Sequence, residues 1–228
     1  MAFNETGSEV SKTPETHKLD FDADKLIGFD TKESKPEVSN NENLEPVDSD
    51  KLIEPTQREI EPVSTYEERL EQTPAETSQT GTWEGERGES LFVPKDPDIQ
   101  KHLSEFGIRG IEFKDAKPDF ASVAIAKVEI EGMSKYRQSR ASLGIVGNFE
   151  KADIACAKQW NDEGQGGKTD WGPKDVASWR KTQAYSWHEC NDMKTMQLVP
   201  RDIHGVCSHL GGVGEVKALS RMDGIFDD

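Results

Sequence analysis

The chain's charge is segregated, and this limits where a core can form. Residues 1–90 carry 23 acidic against 9 basic residues, a net charge of −14 out of −16 for all 228 residues. In that stretch apolar residues come in isolated twos and threes, as in "DKLIGFD" and "DKLIEP". Such segments bury too little apolar surface to offset an ordering cost of about 1–2 kcal/mol per residue. The expectation is a disordered acidic region over residues 1–90 and a folded domain over residues 91–228. The two "DKLI" copies and the repeated "EPV" at Glu45 and Glu61 are too few and too short for a solenoid. Mean hydropathy is −0.79, which agrees with a chain only part of which folds.

No apolar run approaches the roughly 20 residues that cross a bilayer, and the start "MAFNETGSEV" has neither a basic region nor an apolar stretch of signal-peptide kind. The expectation is no membrane segment and no cleavable signal. Three cysteines, Cys156, Cys190 and Cys207, form no CxxC pair, which argues against a disulfide framework and against a four-cysteine zinc site.

Beyond Leu91 the pattern changes. Alternation over Val123–Ile130 predicts a strand with one mainly apolar face. "NFEKADIACAKQW" places Phe149, Ala152, Cys156 and Trp160 at helical spacing, with Asn148 as N-cap and Cys156 as a small buried residue. Pro173 suits the first turn of a helix "PKDVASWRKT", whose Arg180 and Lys181 complement the C-terminal end of its dipole. "GQGGK" lacks the spacing of a phosphate-binding loop.

The chemistry concentrates between Ala184 and Gly212, which hold three of the five histidines and two of the three cysteines. "AYSWHEC" reads as a strand, "NDMK" as a turn and "TMQLV" as the return strand. "PRDIHGVCSH" reads as a short helix closed by Gly211 and Gly212. Adjacent strand residues face opposite ways, so His188 and Glu189 do different jobs. His204 and His209, five residues apart, stand about 140° apart on an ideal helix, so they reach one ion only if the helix ends or bends between them.

The pattern W-H-E … M-Q-L-V-P-x-x-I-H … H-x-G-G, with "DWGPKDVASWRK" upstream, resembles the HNH/endonuclease VII nuclease superfamily and, within it, the WHH and GH-E type domains of bacterial polymorphic toxins. The similarity runs from about Phe106 to Lys217. It implies an α+β fold: a ββα-metal (HNH/His-Me finger) core with added helices and strands behind the acidic region. It also implies one divalent metal ion (Mg2+, Mn2+ or Zn2+) and phosphodiester cleavage in DNA, with RNA not excluded.

By that resemblance His188 is the general base, His204 a metal ligand, and His209 a further ligand or a donor to the phosphate. Alternatively His188 ligates the metal and Glu189 is the base or another ligand, because many members carry His-His where this chain has His188-Glu189. Thr195 falls near the place of the family's middle asparagine, Trp187 packs beneath the site, and Arg201 or Arg180 adds charge stabilisation. The implied setting is a toxin delivered by a specialised system without a cleavable signal peptide, acting in the cytoplasm of a target cell. In the producer a cognate immunity protein neutralises it.

Two considerations weigh against this reading. A structural zinc site of His188, Cys190, His204 and Cys207 could close a tetrahedron, which would make the chain a non-enzymatic interaction module with an acidic docking arm. Residues 91–228 also carry 21 acidic against 19 basic residues, a poor balance for a strong nucleic-acid binder. Binding would then depend on a local cluster of Lys168, Lys174, Arg180, Lys181 and Arg201.

Overall fold

A computed structural model describes residues 61–222 and 224. Of the expected disordered region, residues 1–60 lie outside the described residues, whereas 61–90 are folded, which moves the domain boundary upstream of Leu91. Helix α1 (Tyr66–Glu71) opens with a reciprocal cap: the Glu68 N–H donates to Thr65 Oγ1 at 3.2 Å, and the Thr65 N–H donates to the Glu68 carboxylate at 2.9 Å. Strand β1 (Gly81–Trp83) pairs antiparallel with β2 (Leu91–Pro94).

This segment is fastened by polar contacts, to which hydropathy is blind. Buried Arg69 donates to the Ser64 carbonyl, to the Asp115 carbonyl at 3.0 Å and to the Asp115 carboxylate. Arg87 donates to the carbonyls of Leu70 and Thr73 at 2.7 and 2.9 Å. Trp83 adds apolar contact, its ring centroid 5.0 Å from Phe92 and 4.8 Å from Phe113.

Beyond β2 come α2 (Pro97–Glu105), capped by Asp96, then β3 (Ile111–Lys114) and β4 (Lys117–Pro118). The first four strands form an antiparallel sheet in the order β1-β2-β3-β4. A second antiparallel sheet holds β5 (Ala126–Glu129), β6 (Tyr185–Glu189) and β7 (Thr195–Pro200) in the order β5-β7-β6, so β6 is an edge. Helices α3 (Asn148–Glu163) and α4 (Pro173–Thr182) separate β5 from β6, while α5 (Arg201–Val206) and α6 (Gly212–Met222) follow β7. The fold is α+β, as expected.

Period-two alternation gives the second sheet two buried faces. Val128, Trp187, Met196 and Leu198 pack with Ala152, Cys156 and Trp160 of α3 and Val176 of α4. Val199, Ile203 and Cys207 join Phe92, Leu103 and Phe120 in the other core. Arg180, expected at the dipole end of α4 and in a basic cluster that adds charge stabilisation, is buried. Its Nε and Nη2 donate to the Asp153 carboxylate at 2.8 and 3.0 Å, and the Trp187 indole N–H donates to the same group at 2.8 Å. Cys156 is fully buried, as its helical spacing suggested.

Two local expectations change. The N-cap of α3 is Gly147, and Asn148, one residue on, turns its side chain inward. Gly211 and Gly212 do not close a helix: α5 ends at Val206, and Gly212 begins α6. Both are glycine because the backbone passes close by. A Cβ on Gly212 would lie 2.5 Å from the Cys190 carbonyl oxygen, and one on Gly211 2.8 Å from that of Glu189.

Candidate metal centre and groove

The β6–β7 hairpin and α5 gather the three histidines. His188 lies opposite Gln197 in the β6–β7 register, on the sheet face opposite the one Trp187 packs. Pro200 ends β7 and α5 carries His204 back across the hairpin; because α5 stops at Val206, the next turn brings in His209 as well. His188 Nδ1 is 3.4 Å from His204 Nε2 and 3.1 Å from His209 Nε2. One ring nitrogen from each histidine lies within 4.8 Å of the other two. Phe120 forms a fully buried apolar floor, its centroid 4.9, 5.3 and 5.8 Å from the rings of His188, His204 and His209.

This donor set fits a metal ion. Bonds of about 2.0–2.1 Å in a tetrahedron place ligand nitrogens about 3.3 Å apart, close to the two separations from His188 Nδ1. His209 Nδ1 lies 2.6 Å from the Cys207 carbonyl oxygen, which can only accept, so Nδ1 carries the proton and Nε2 presents its lone pair to the cluster. Burial pushes the His188 pKa well below its ordinary value and that of His204 to about 3, and it lowers His209 too. Neighbouring imidazoles and Arg137 push His188 and His204 the same way. All three rings are therefore neutral at pH 7, the form that binds metal.

The depressed values have a thermodynamic consequence. Below pH about 6.5 the unfolded chain takes up protons that the folded chain refuses, so folding stability falls as pH drops from there towards the folded pKa values. At pH 7.5 this penalty is absent. The metal-free protein should melt at steadily lower temperature between pH 6.5 and 4, and His204→Asn should flatten that slope; an equally steep slope in the variant would contradict the assignment.

Glu189 takes the other face of β6. It is buried, with Oε1 accepting from Asn148 Nδ2 at 2.9 Å and Oε2 accepting from Arg137 Nε at 2.8 Å. A groove of about 470 Å3 runs past this edge strand and is lined by Arg137, His188, Glu189, His204, Ser208 and His209, among others. Arg137 is largely exposed, and its two terminal nitrogens have no hydrogen-bond partner among the described residues.

The other expected site residues do not join the histidine cluster. Arg201 is exposed, donates to the Tyr185 carbonyl at 3.3 Å and does not line the groove. Thr195 ties the hairpin turn, its N–H donating to Asp192 Oδ1 at 2.8 Å and its hydroxyl to Oδ2. Trp187 stays at the site: it is buried, donates to Asp153 and is among the residues that line the groove. Lys168 pairs with Asp170 and Asp175, away from the groove.

The cysteines do not join the histidines. Among the described residues the group that could hold an ion is His188, His204 and His209, and His209 uses the carbonyl of Cys207 while its sulfur takes no part. Burial raises the Cys190 and Cys207 thiols to about 12.

Sequence reasoning missed Arg137, Asn148 and Phe120. A signal existed for the first: no acidic residue falls between Glu131 and Glu150, a stretch that contains "SKYRQSR".

Residues 110–211 match the family model of the DNase/tRNase domain of colicin-like bacteriocins. The match, just under half of the chain, contains all three clustered histidines, Arg137 and Glu189, and it supports a nuclease toxin domain acting on nucleic acid. No curated protein and no solved structure matches the chain. No helix among the described residues is long and apolar enough to cross a membrane.

Proposed function

We propose that this chain is a divalent-metal-dependent endonuclease of HNH type that hydrolyses phosphodiester bonds in DNA, with β6, β7 and α5 as its ββα-metal core. The observation that supports this most is the meeting of three neutral imidazoles at the edge of an open groove beside an incompletely paired arginine, within the residues that match a nuclease family. The setting is the toxin domain of a polymorphic toxin, delivered into a target cell by a specialised system and neutralised in the producer by an immunity protein.

The geometry favours His188 as a ligand rather than the base, since its Nδ1 faces the other two histidines. His188, His204 and His209 would hold the ion. When bound, the ion supplies positive charge for the phosphate and for the leaving 3′ oxygen. Glu189, across the same strand and on the same groove, accepts the proton of the attacking water. Asn148 and Arg137 fix both its oxygens. The terminal nitrogens of Arg137 meet the phosphate and offset the charge that grows on it. An imidazole set favours zinc or a similar transition ion, while waters in the open positions leave room for Mn2+ or Mg2+.

Supercoiled plasmid tests the reading. Purified protein with Mg2+, Mn2+ or Zn2+ should convert it to open-circular and linear forms, and excess EDTA should stop the conversion. The absence of cutting with all three ions would overturn the assignment.

A further inference from the structure

A second groove, of about 320 Å3, adjoins the first and shares Arg137 with it. One wall is the basic loop Lys135–Arg140, and the other is α6, through Val213 and Lys217. The loop is held firmly: the Asn148 N–H donates to the Tyr136 carbonyl at 2.9 Å, and the Phe149 N–H donates to the Arg137 carbonyl at 3.0 Å. The Gly147 N–H donates to Ser139 Oγ at 2.9 Å, and a Cβ on Gly147 would lie 2.3 Å from the Gln138 carbonyl carbon. The Arg140 guanidinium stands 5.0 Å from the centre of the Tyr136 ring, with Lys135 Nζ at 5.6 Å. A cation placed over an aromatic face is already ordered before a ligand arrives.

Arg140 and Lys217 are exposed, and neither forms an ion pair among the described residues. In a chain of net charge −16 such cations are not spread evenly. They line a groove that has Arg137 in common with the histidine groove.

We infer that this second groove binds the sugar–phosphate backbone of the polynucleotide strand next to the scissile bond, with Arg137, Arg140 and Lys217 on successive phosphates. The inference rests on the reading of the histidine groove as a phosphodiester-cleaving site. A polynucleotide fits better than an acidic peptide because it presents phosphates continuously through both grooves. It also answers the charge objection: the positive surface comes from one loop and α6, not from the domain's overall balance.

The test uses the full chain in EDTA and a fluorescein-labelled 20-nucleotide DNA, its affinity followed by anisotropy across a salt series. Each lost phosphate contact lowers the salt slope by about 0.7–0.9, so Arg140→Ala with Lys217→Ala should flatten it by about 1.5. Arg140→Lys with Lys217→Arg should keep the slope. An unchanged slope in the alanine variant would overturn the inference, as would a wild type that binds polyglutamate and not the oligonucleotide. Hydrolysis of a small diester, bis(p-nitrophenyl) phosphate, by the metal-loaded wild type reads the first groove alone. If that fails while the slope still falls, the hydrolytic reading is wrong and the backbone groove stands.

Discussion

His204→Ala should cut plasmid at least about 10³-fold more slowly than the wild type at matched metal concentration, the largest catalytic effect expected of any single change here. His204 supplies one of only three clustered ring nitrogens, and its Nε2 has no hydrogen-bond partner but His188 Nδ1 among the described residues. Without it two imidazoles remain, too few protein ligands to fix an ion. The fold should survive, because alanine is the best helix former and His204 is half-buried. Thermal melting of the metal-free protein separates the two effects: a melting temperature near that of the wild type, with cleavage lost, is the expected result. Cleavage at the wild-type rate would remove His204 from the site.

Glu215→Ala should cost about 3 kcal/mol or more, the largest stability loss expected. Its buried carboxyl accepts three hydrogen bonds: from the Ser64 N–H at 2.8 Å, the Ser64 hydroxyl at 2.7 Å and Asn191 Nδ2 at 2.6 Å. Alanine leaves both Ser64 donors and one N–H of the Asn191 amide in a dry interior without that acceptor. The same Asn191 amide also donates to the Leu210 carbonyl at 2.8 Å, one residue beyond His209. The network thus links the segment before α1 to the turn that positions a metal ligand.

Metal affinity should fall with stability in this variant, by about 10–100-fold, as for other groups that orient ligands. Denaturant unfolding with and without Zn2+ reads both quantities. Glu215→Gln, which keeps one acceptor, should fall between. A midpoint unchanged by Glu215→Ala would refute the network's importance. A chain begun at Leu91 lacks Ser64 and should show the same two defects.

The contrast between His204 and Glu215 shows what could be read from the sequence. His188, His204 and His209 lie within twenty-two residues on a hairpin and a helix, and both elements announce themselves through alternation, a turn and Pro200. The need for the helix to stop between His204 and His209 followed from geometry, and α5 stops at Val206. Arg137 and Asn148 reach Glu189 from 52 and 41 residues away, a pairing that no local periodicity encodes.

The same limit explains the errors. Arg180 resembles a helix-end charge until Asp153, 27 residues earlier, is placed against it. Residues 61–90 lack apolar runs because their order comes from Arg69 and Arg87 donating to backbone carbonyls, contacts to which hydropathy assigns no weight. Glu215 reads as one more exposed acid in an acidic chain, and only the fold shows it fully buried.

In the proposed site three histidines, and not the cysteines, hold one metal ion. Isothermal titration of Zn2+ into metal-free protein at pH 7.5 tests it most directly, on the wild type, on His188→Ala and on the Cys190→Ser, Cys207→Ser double variant. One ion per chain is expected in the wild type and in the cysteine variant, with affinity at least about 100-fold weaker in His188→Ala. Undiminished binding by His188→Ala, or binding lost with the cysteines, would contradict it.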